Sequence, residues 1–110
     1  MIGLSVCFYD NSEIINEPKI RIDRVYCLDF SNFSEETWDK LAVIYSKLPM
    51  QIINNNVQAW FGEEGKSEYY LYASVEPSGL QIVGVLSSDD WFTWEAIFNE
   101  EIKDLPSFEC

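Results

Sequence analysis

The stretch that decides the fold is residues 68–86, EYYLYASVEPSGLQIVGVL. Over its first nine residues Tyr69, Leu71, Ala73 and Val75 fall on one side, and Glu68, Tyr70, Tyr72, Ser74 and Glu76 on the other. A period of two in aromatic and β-branched residues is the pattern of a half-buried strand. EPSG then places Pro77 second and Gly79 fourth, the preference of a type I turn. Residues 80–86, LQIVGVL, return as the partner of a hairpin.

Downstream, Ser88 reads as a helix cap with Asp89 and Asp90 in the first turn. The apolar stripe is Trp91, Trp94, Phe98, Ile102 and Leu105, and Pro106 ends the helix. Upstream, residues 57–61, VQAWF, read as a short strand and GEEGKS as its turn; the asparagines at 54–56 mark a loop. Ser34 caps an earlier helix, with Glu35 and Glu36 in its first turn and Phe33 placed to staple onto Trp38. Its stripe is Trp38, Leu41, Tyr45 and Leu48, and Pro49 stops it. Residues 19–29 read as a strand and 10–18 as a loop. Residues 2–9, alternating Ile2, Leu4, Val6 and Phe8, form the first strand.

The expected order is β-β-α-β-β-β-α. Short turns between consecutive strands imply antiparallel pairing. The expectation is therefore an α+β single domain over residues 1–110, with a mostly antiparallel sheet of four to five strands packed against two amphipathic helices. Which sheet face each helix covers stays open at this point.

Nineteen carboxylates face seven basic residues, a formal net charge of −12. Residues 1–48 carry eight acids and five bases, whereas residues 49–110 carry eleven acids against Lys66 and Lys103 alone. This field repels nucleic-acid phosphates and anionic membranes. It attracts a basic protein and speeds the encounter; solubility alone is the plainer reading of the same charge. Cys7, Cys27 and Cys110 have no C-x-x-C spacing, which fits reduced thiols and a cytoplasmic setting. Cys110 is expected to be exposed. The first ten residues lack the basic start of a signal peptide.

With no histidine, Ser-His-Asp and Cys-His catalysis are excluded and the commonest zinc ligand is missing. The five glycines are scattered, so no phosphate-cradling loop is present. An oxygen-only cation site and a carboxylate-pair hydrolase stay formally open, with nothing to single out a pair. No catalytic, cofactor or metal residue is assigned, and the protein is read as a non-enzyme.

Three places set acids beside large rings. WFGEEG holds Trp60, Phe61, Glu63 and Glu64. The strand side just described holds Glu68, Tyr70 and Tyr72, and the start of the last helix holds Asp89, Asp90 and Phe92. Tyrosine and tryptophan supply binding hot spots and carboxylates set polarity. Against this, Trp60 can be core, the acids can be a solvated turn and a helix cap, and a helix can cover the tyrosines.

In size, acidity and aromatic content, the chain resembles the small acidic immunity proteins that bacteria make against secreted toxins, including contact-dependent inhibition and colicin-type nucleases. WFGEEG, EYYLYASVEPSGLQ and DDWFTWEAIFNEE carry the resemblance. It implies a monomer that neutralises a cognate basic toxin of the nuclease type through an acidic and aromatic surface. The alternative is a structural or regulatory interaction domain, a homodimer through the tyrosine side.

Overall fold

The computed structural model describes residues 6–53 and 56–109. It is an α+β arrangement of two helices on an antiparallel sheet, with seven strands among the described residues. The strands are β1 (Phe8–Asp10), β2 (Glu13–Asn16), β3 (Lys19–Tyr26), β4 (Gln51–Ile52), β5 (Gln58–Trp60), β6 (Tyr70–Glu76) and β7 (Gly79–Ser87). The helices are α1 (Glu35–Lys47) and α2 (Ser88–Ile102), with a short 3-10 turn at Phe30–Asn32.

The hairpin of residues 68–86 is the centre of the sheet. β6 pairs with β7 from Tyr70↔Val85 to Glu76↔Gly79, so the Pro77–Ser78 turn sets the register. β7 pairs along its length with β3, from Lys19↔Ser87 to Tyr26↔Leu80. The order across the sheet is β1-β3-β7-β6-β5-β4, and β2 also pairs with β3.

Four sequence expectations are corrected. Residues 10–18 are not all loop: β2 forms there because Ile14 and Ile15 suit extended backbone and β3 offers a free edge. β1 and β2 thus act as one interrupted edge strand, bridged where Asn11 N–H donates to Asp23 O at 2.8 Å. Among the described residues the first strand runs over Phe8–Asp10, and residues 2–5 of the expected strand lie outside the described residues. β4 was unforeseen, a two-residue strand on β5 with no periodicity to read. These additions raise the strand number above the expected four to five. Finally, α2 is capped by Ser87 rather than Ser88, its hydroxyl accepting from Asp90 N–H at 3.3 Å.

Ser34 does cap α1. Its hydroxyl accepts from Thr37 N–H and its own N–H donates to Thr37 Oγ1, each at 3.2 Å. The Phe33–Trp38 staple is present with ring centroids 4.9 Å apart. Phe30 stacks on Trp38 at 5.0 Å and meets Phe33 edge-on at 5.0 Å, so the exposed Trp38 ring closes the helix entry in a three-ring cluster rather than joining the core.

Both helices lie on the same side of the sheet. The buried residues of α2, Trp91, Trp94, Phe98 and Ile102, meet Ile22, Tyr26, Leu71, Leu80 and Ile82 from the strands. α1 adds Leu41, Ile44 and Tyr45. Trp94 is the hub: its ring lies 5.1 Å from Trp60, 5.8 Å from Trp91 and 4.9 Å from Phe98. Trp60 is fully buried and donates its indole N–H to Tyr45 O at 3.3 Å. Truncating such a ring costs about 3–5 kcal/mol.

Cys7 is disulfide-bonded, which corrects the expectation of three reduced thiols; Cys27 is a buried free thiol whose pKa burial pushes up. Cys110 lies outside the described residues. Among the described residues no helix is long and apolar enough to cross a membrane.

Candidate interaction surface

With both helices on one side, strand alternation leaves the other side of the sheet without a helical layer among the described residues. Register places Arg21, Val85 and Tyr70 in one row across β3, β7 and β6. Asp23, Val83, Tyr72 and Ala59 form the next row, and Val25, Gln81 and Ser74 the one after. Tyr70 and Tyr72 are half-buried and stack with centroids 6.5 Å apart and planes 10° apart. Val85 and Val83 are their cross-strand neighbours on the same side. Gln81 Nε2 donates to Asp23 Oδ1 at 3.0 Å, which fixes a polar margin along β3.

WFGEEG supplies one wall. Trp60 turns into the core, so it is removed from the candidate surface. Phe61 takes a left-handed φ of 72° and packs partly against the core, swinging the chain out of the sheet. Gly62 is required at the exit, since a Cβ there would meet Ser67 Cβ at 2.5 Å. Glu63 and Glu64 then stand over a groove of about 540 Å³ whose walls include Ile53, Val57, Ala59 and Tyr72. Burial raises the Tyr72 phenol pKa, and the nearby charge of Glu64, then Tyr70 and Asp23, raises it further.

The acids here are unequally free. Glu63 pairs with Lys66 at 3.2 Å and Glu68 with Lys19 at 3.7 Å. Such exposed pairs are worth little and are easily exchanged for a partner's cation. Glu64 is exposed beside the groove.

The structure divides the ten sequence-predicted residues. Glu63, Glu64, Tyr70 and Tyr72 border the open sheet side, and Glu68 lies just before β6. Trp60 is core and Phe61 is a half-buried hinge. Asp89, Asp90 and Phe92 sit on the first turns of α2, in the helical layer, so they do not join the tyrosines on one surface. Phe92 is 58% exposed, as its position off the stripe required.

Sequence reading missed one cluster. Arg24 of β3 points to the helix side, where its side chain is 5% exposed. Its Nη2 donates to Asp10 Oδ2 at 2.9 Å and its Nη1 to the Tyr26 hydroxyl at 3.1 Å, with Glu95 Oε2 3.5 Å away. The guanidinium lies 3.9 Å from the Phe8 ring centroid and 4.8 Å from that of Trp91. Burial lifts the Glu95 carboxyl pKa, which Arg24 only partly opposes. Burial acts the same way on Asp10, but hydrogen bonds from Arg24 and Ser12 prevail and hold it below the usual range. Burial pushes the Tyr26 phenol to about 12. The only signal in the sequence was a charged residue at a position in phase with Ile20 and Ile22.

No family model matches this chain, and comparison with curated proteins and with solved structures gives no match either. What the geometry defines is a class: a two-layer α+β arrangement in which, among the described residues, no helix covers one side of the central sheet and paired tyrosines lie beside carboxylates there.

Proposed function

We propose that this protein is an immunity protein that binds and neutralises a basic toxin domain of the nuclease type through the helix-free side of its sheet. The observation that carries the reading is the placement of both helices on the opposite side. It leaves the stacked Tyr70 and Tyr72, beside Val85 and Val83, with no helix among the described residues covering them. Rings held in a fixed stack lose little conformational freedom on binding, so they serve as anchors. Glu64, with Glu63 and Glu68 released from their lysines, faces the partner's cations. A nuclease groove built for phosphate presents such cations, and blocking it requires carboxylates rather than chemistry. The protein acts as a monomer and needs no cofactor; the bonded Cys7 favours an oxidising compartment over the cytoplasm expected from free thiols.

Self-association through the same tyrosines is the second reading. It is disfavoured because two copies, each at −12, would set Glu64 and Glu68 against their own kind.

The test is a titration against the product of an adjacent toxin-like gene. The expected result is a one-to-one complex that weakens as salt rises. Tyr72→Ala is expected to cost about 2 kcal/mol or more of binding, the scale of an interface anchor. Unchanged affinity in Tyr72→Ala and in Glu64→Lys would remove this surface from the account.

A further inference from the structure

The second feature of note is the outer edge of β1 and β2. Among the described residues nothing pairs with it. Cys27 N–H donates to Cys7 O at 2.9 Å and Asn11 N–H to Asp23 O at 2.8 Å. Alternation along an antiparallel edge then turns the backbone groups of Phe8 and Asp10 outward, away from β3.

This edge is guarded only in part, by short strands, the inward Asp10 and a register shift between Ile14 and Asn16. Natural edges are guarded by lysine, proline or inward charges. Here Ile14 is 60% and Ile15 52% exposed, and no lysine or arginine occurs between residues 6 and 18. On the helix side, a notch of about 300 Å³ separates the edge from α2. Ile14, Trp91 and Phe92 form its apolar part, and Asp10, Glu13 and Glu95 its acidic part. Arg24 forms its back wall, and among the described residues its buried Nε has no acceptor.

We propose that this edge takes up one extended strand from a basic protein partner. The strand adds antiparallel to β1–β2, setting an apolar side chain over Ile14 and Phe92 and a lysine or arginine against Glu95 and Asp10. Backbone hydrogen bonds give affinity in this mode and alternate side chains give specificity. The cation is called for because two carboxylates share the single guanidinium of Arg24, and burial already disfavours the charged form of Glu95. A second copy of this chain is the wrong occupant: it would bring Asp10, Glu13 and Glu17 against an equally acidic edge. This surface is separate from the tyrosine side, and its assignment does not depend on the partner being a toxin.

The probe is an acetylated eight-residue peptide with valine at positions 1 and 3 and lysine at 5 and 7, all on one side, and threonine between them, added to the isotope-labelled protein at low salt. Amide hydrogen exchange is read residue by residue. Exchange at Phe8 and Asp10 is expected to slow at least about tenfold at peptide concentrations up to about 1 mM, the weak end of specific binding. Ile14→Lys, an exposed position that leaves the core intact, and Glu95→Gln are each expected to weaken binding about tenfold. A lysine–glycine peptide of the same charge is expected not to protect these amides. The proposal is overturned if the lysine–valine peptide slows neither amide, if the lysine–glycine peptide does so equally, or if both variants bind as wild type. It is also overturned if the protein alone dimerises with these two amides already protected, which would assign the edge to a second copy. The tyrosine surface is unaffected by any of these results.

Discussion

Replacing Arg24 by methionine tests how the edge strand is held to the rest of the molecule. The substitution keeps the length and apolar stem of the side chain but removes its charge. Three groups lose one partner: Glu95, 24% exposed; Asp10, 36% exposed, which keeps its bond from Ser12 N–H; and the Tyr26 hydroxyl, which still donates to Asn99 Oδ1. Removing one member of a fully buried pair costs 3–5 kcal/mol. Asp10 is more than one-third exposed, so water offsets much of its loss, leaving about 1 kcal/mol. Glu95 is better shielded and contributes roughly 1–2 kcal/mol. Contact with the Phe8 and Trp91 rings contributes roughly 0.5 kcal/mol more, as methionine still touches both. The expected loss at pH 7 is about 3 kcal/mol, or roughly 10–15 °C in Tm for a chain of this size. The pH dependence separates this cause from simple mispacking. In the wild type, Asp10 titrates below its usual range, so its contribution is lost as pH falls through that lowered value. Glu95 is raised, so its carboxylate opposes folding as pH climbs through its folded value. Without Arg24 both carboxyls rise, and protonating them relieves the variant. The gap between wild type and variant should therefore narrow as pH falls from 7 toward 4. Urea unfolding at several pH values measures it. A gap that stays constant across that range would refute the electrostatic account of the cluster.

Three other outcomes are expected. Gly84→Ala should cost about 1–3 kcal/mol in urea unfolding, because its new Cβ would strike Tyr70 O and approach Leu71 Cα at 2.8 Å in the neighbouring strand. The Tyr72 phenol should titrate above its usual range, and Glu64→Gln should lower it without changing the fold; a pH-difference absorbance or NMR titration reads both. Alkylation without prior reduction should leave Cys7 unlabelled, and reduction should expose it to the reagent, as read by peptide mass mapping.

Legibility followed the strength of periodic signals. The hairpin of β6 and β7 was plain because alternation ran through seven or more residues on both sides of a turn with proline and glycine in specific places. The α2 stripe was equally plain, and every residue assigned to it is buried. β2 and β4 were not legible. A four-residue strand exposed on both sides has no alternation, and a two-residue strand has no period at all. Both exist because neighbouring strands offer unpaired backbone, a tertiary cause that local sequence does not carry. For the surface, the sequence placed Tyr70 and Tyr72 together but could not choose between exposure and a helical cover. That choice rests on where α2 crosses the sheet, which depends on long-range packing of Trp60 against Trp94. Trp60 itself was ambiguous, since an aromatic next to acids reads alike in a core and at an interface. Arg24 was missed because a charge in phase with a buried stripe reads as a surface residue unless its partners, here Asp10 and Glu95, are known.

The central claim is that the bare side of the sheet, and not the helical layer, receives the partner. Hydrogen-exchange mapping of the complex with the adjacent-gene toxin tests it most directly. The account predicts slowed exchange over Tyr70–Glu76 and Gly79–Ser87, with quenched tyrosine mobility at Tyr70 and Tyr72. Protection confined to α1 and α2, with β6 and β7 unchanged, would contradict it.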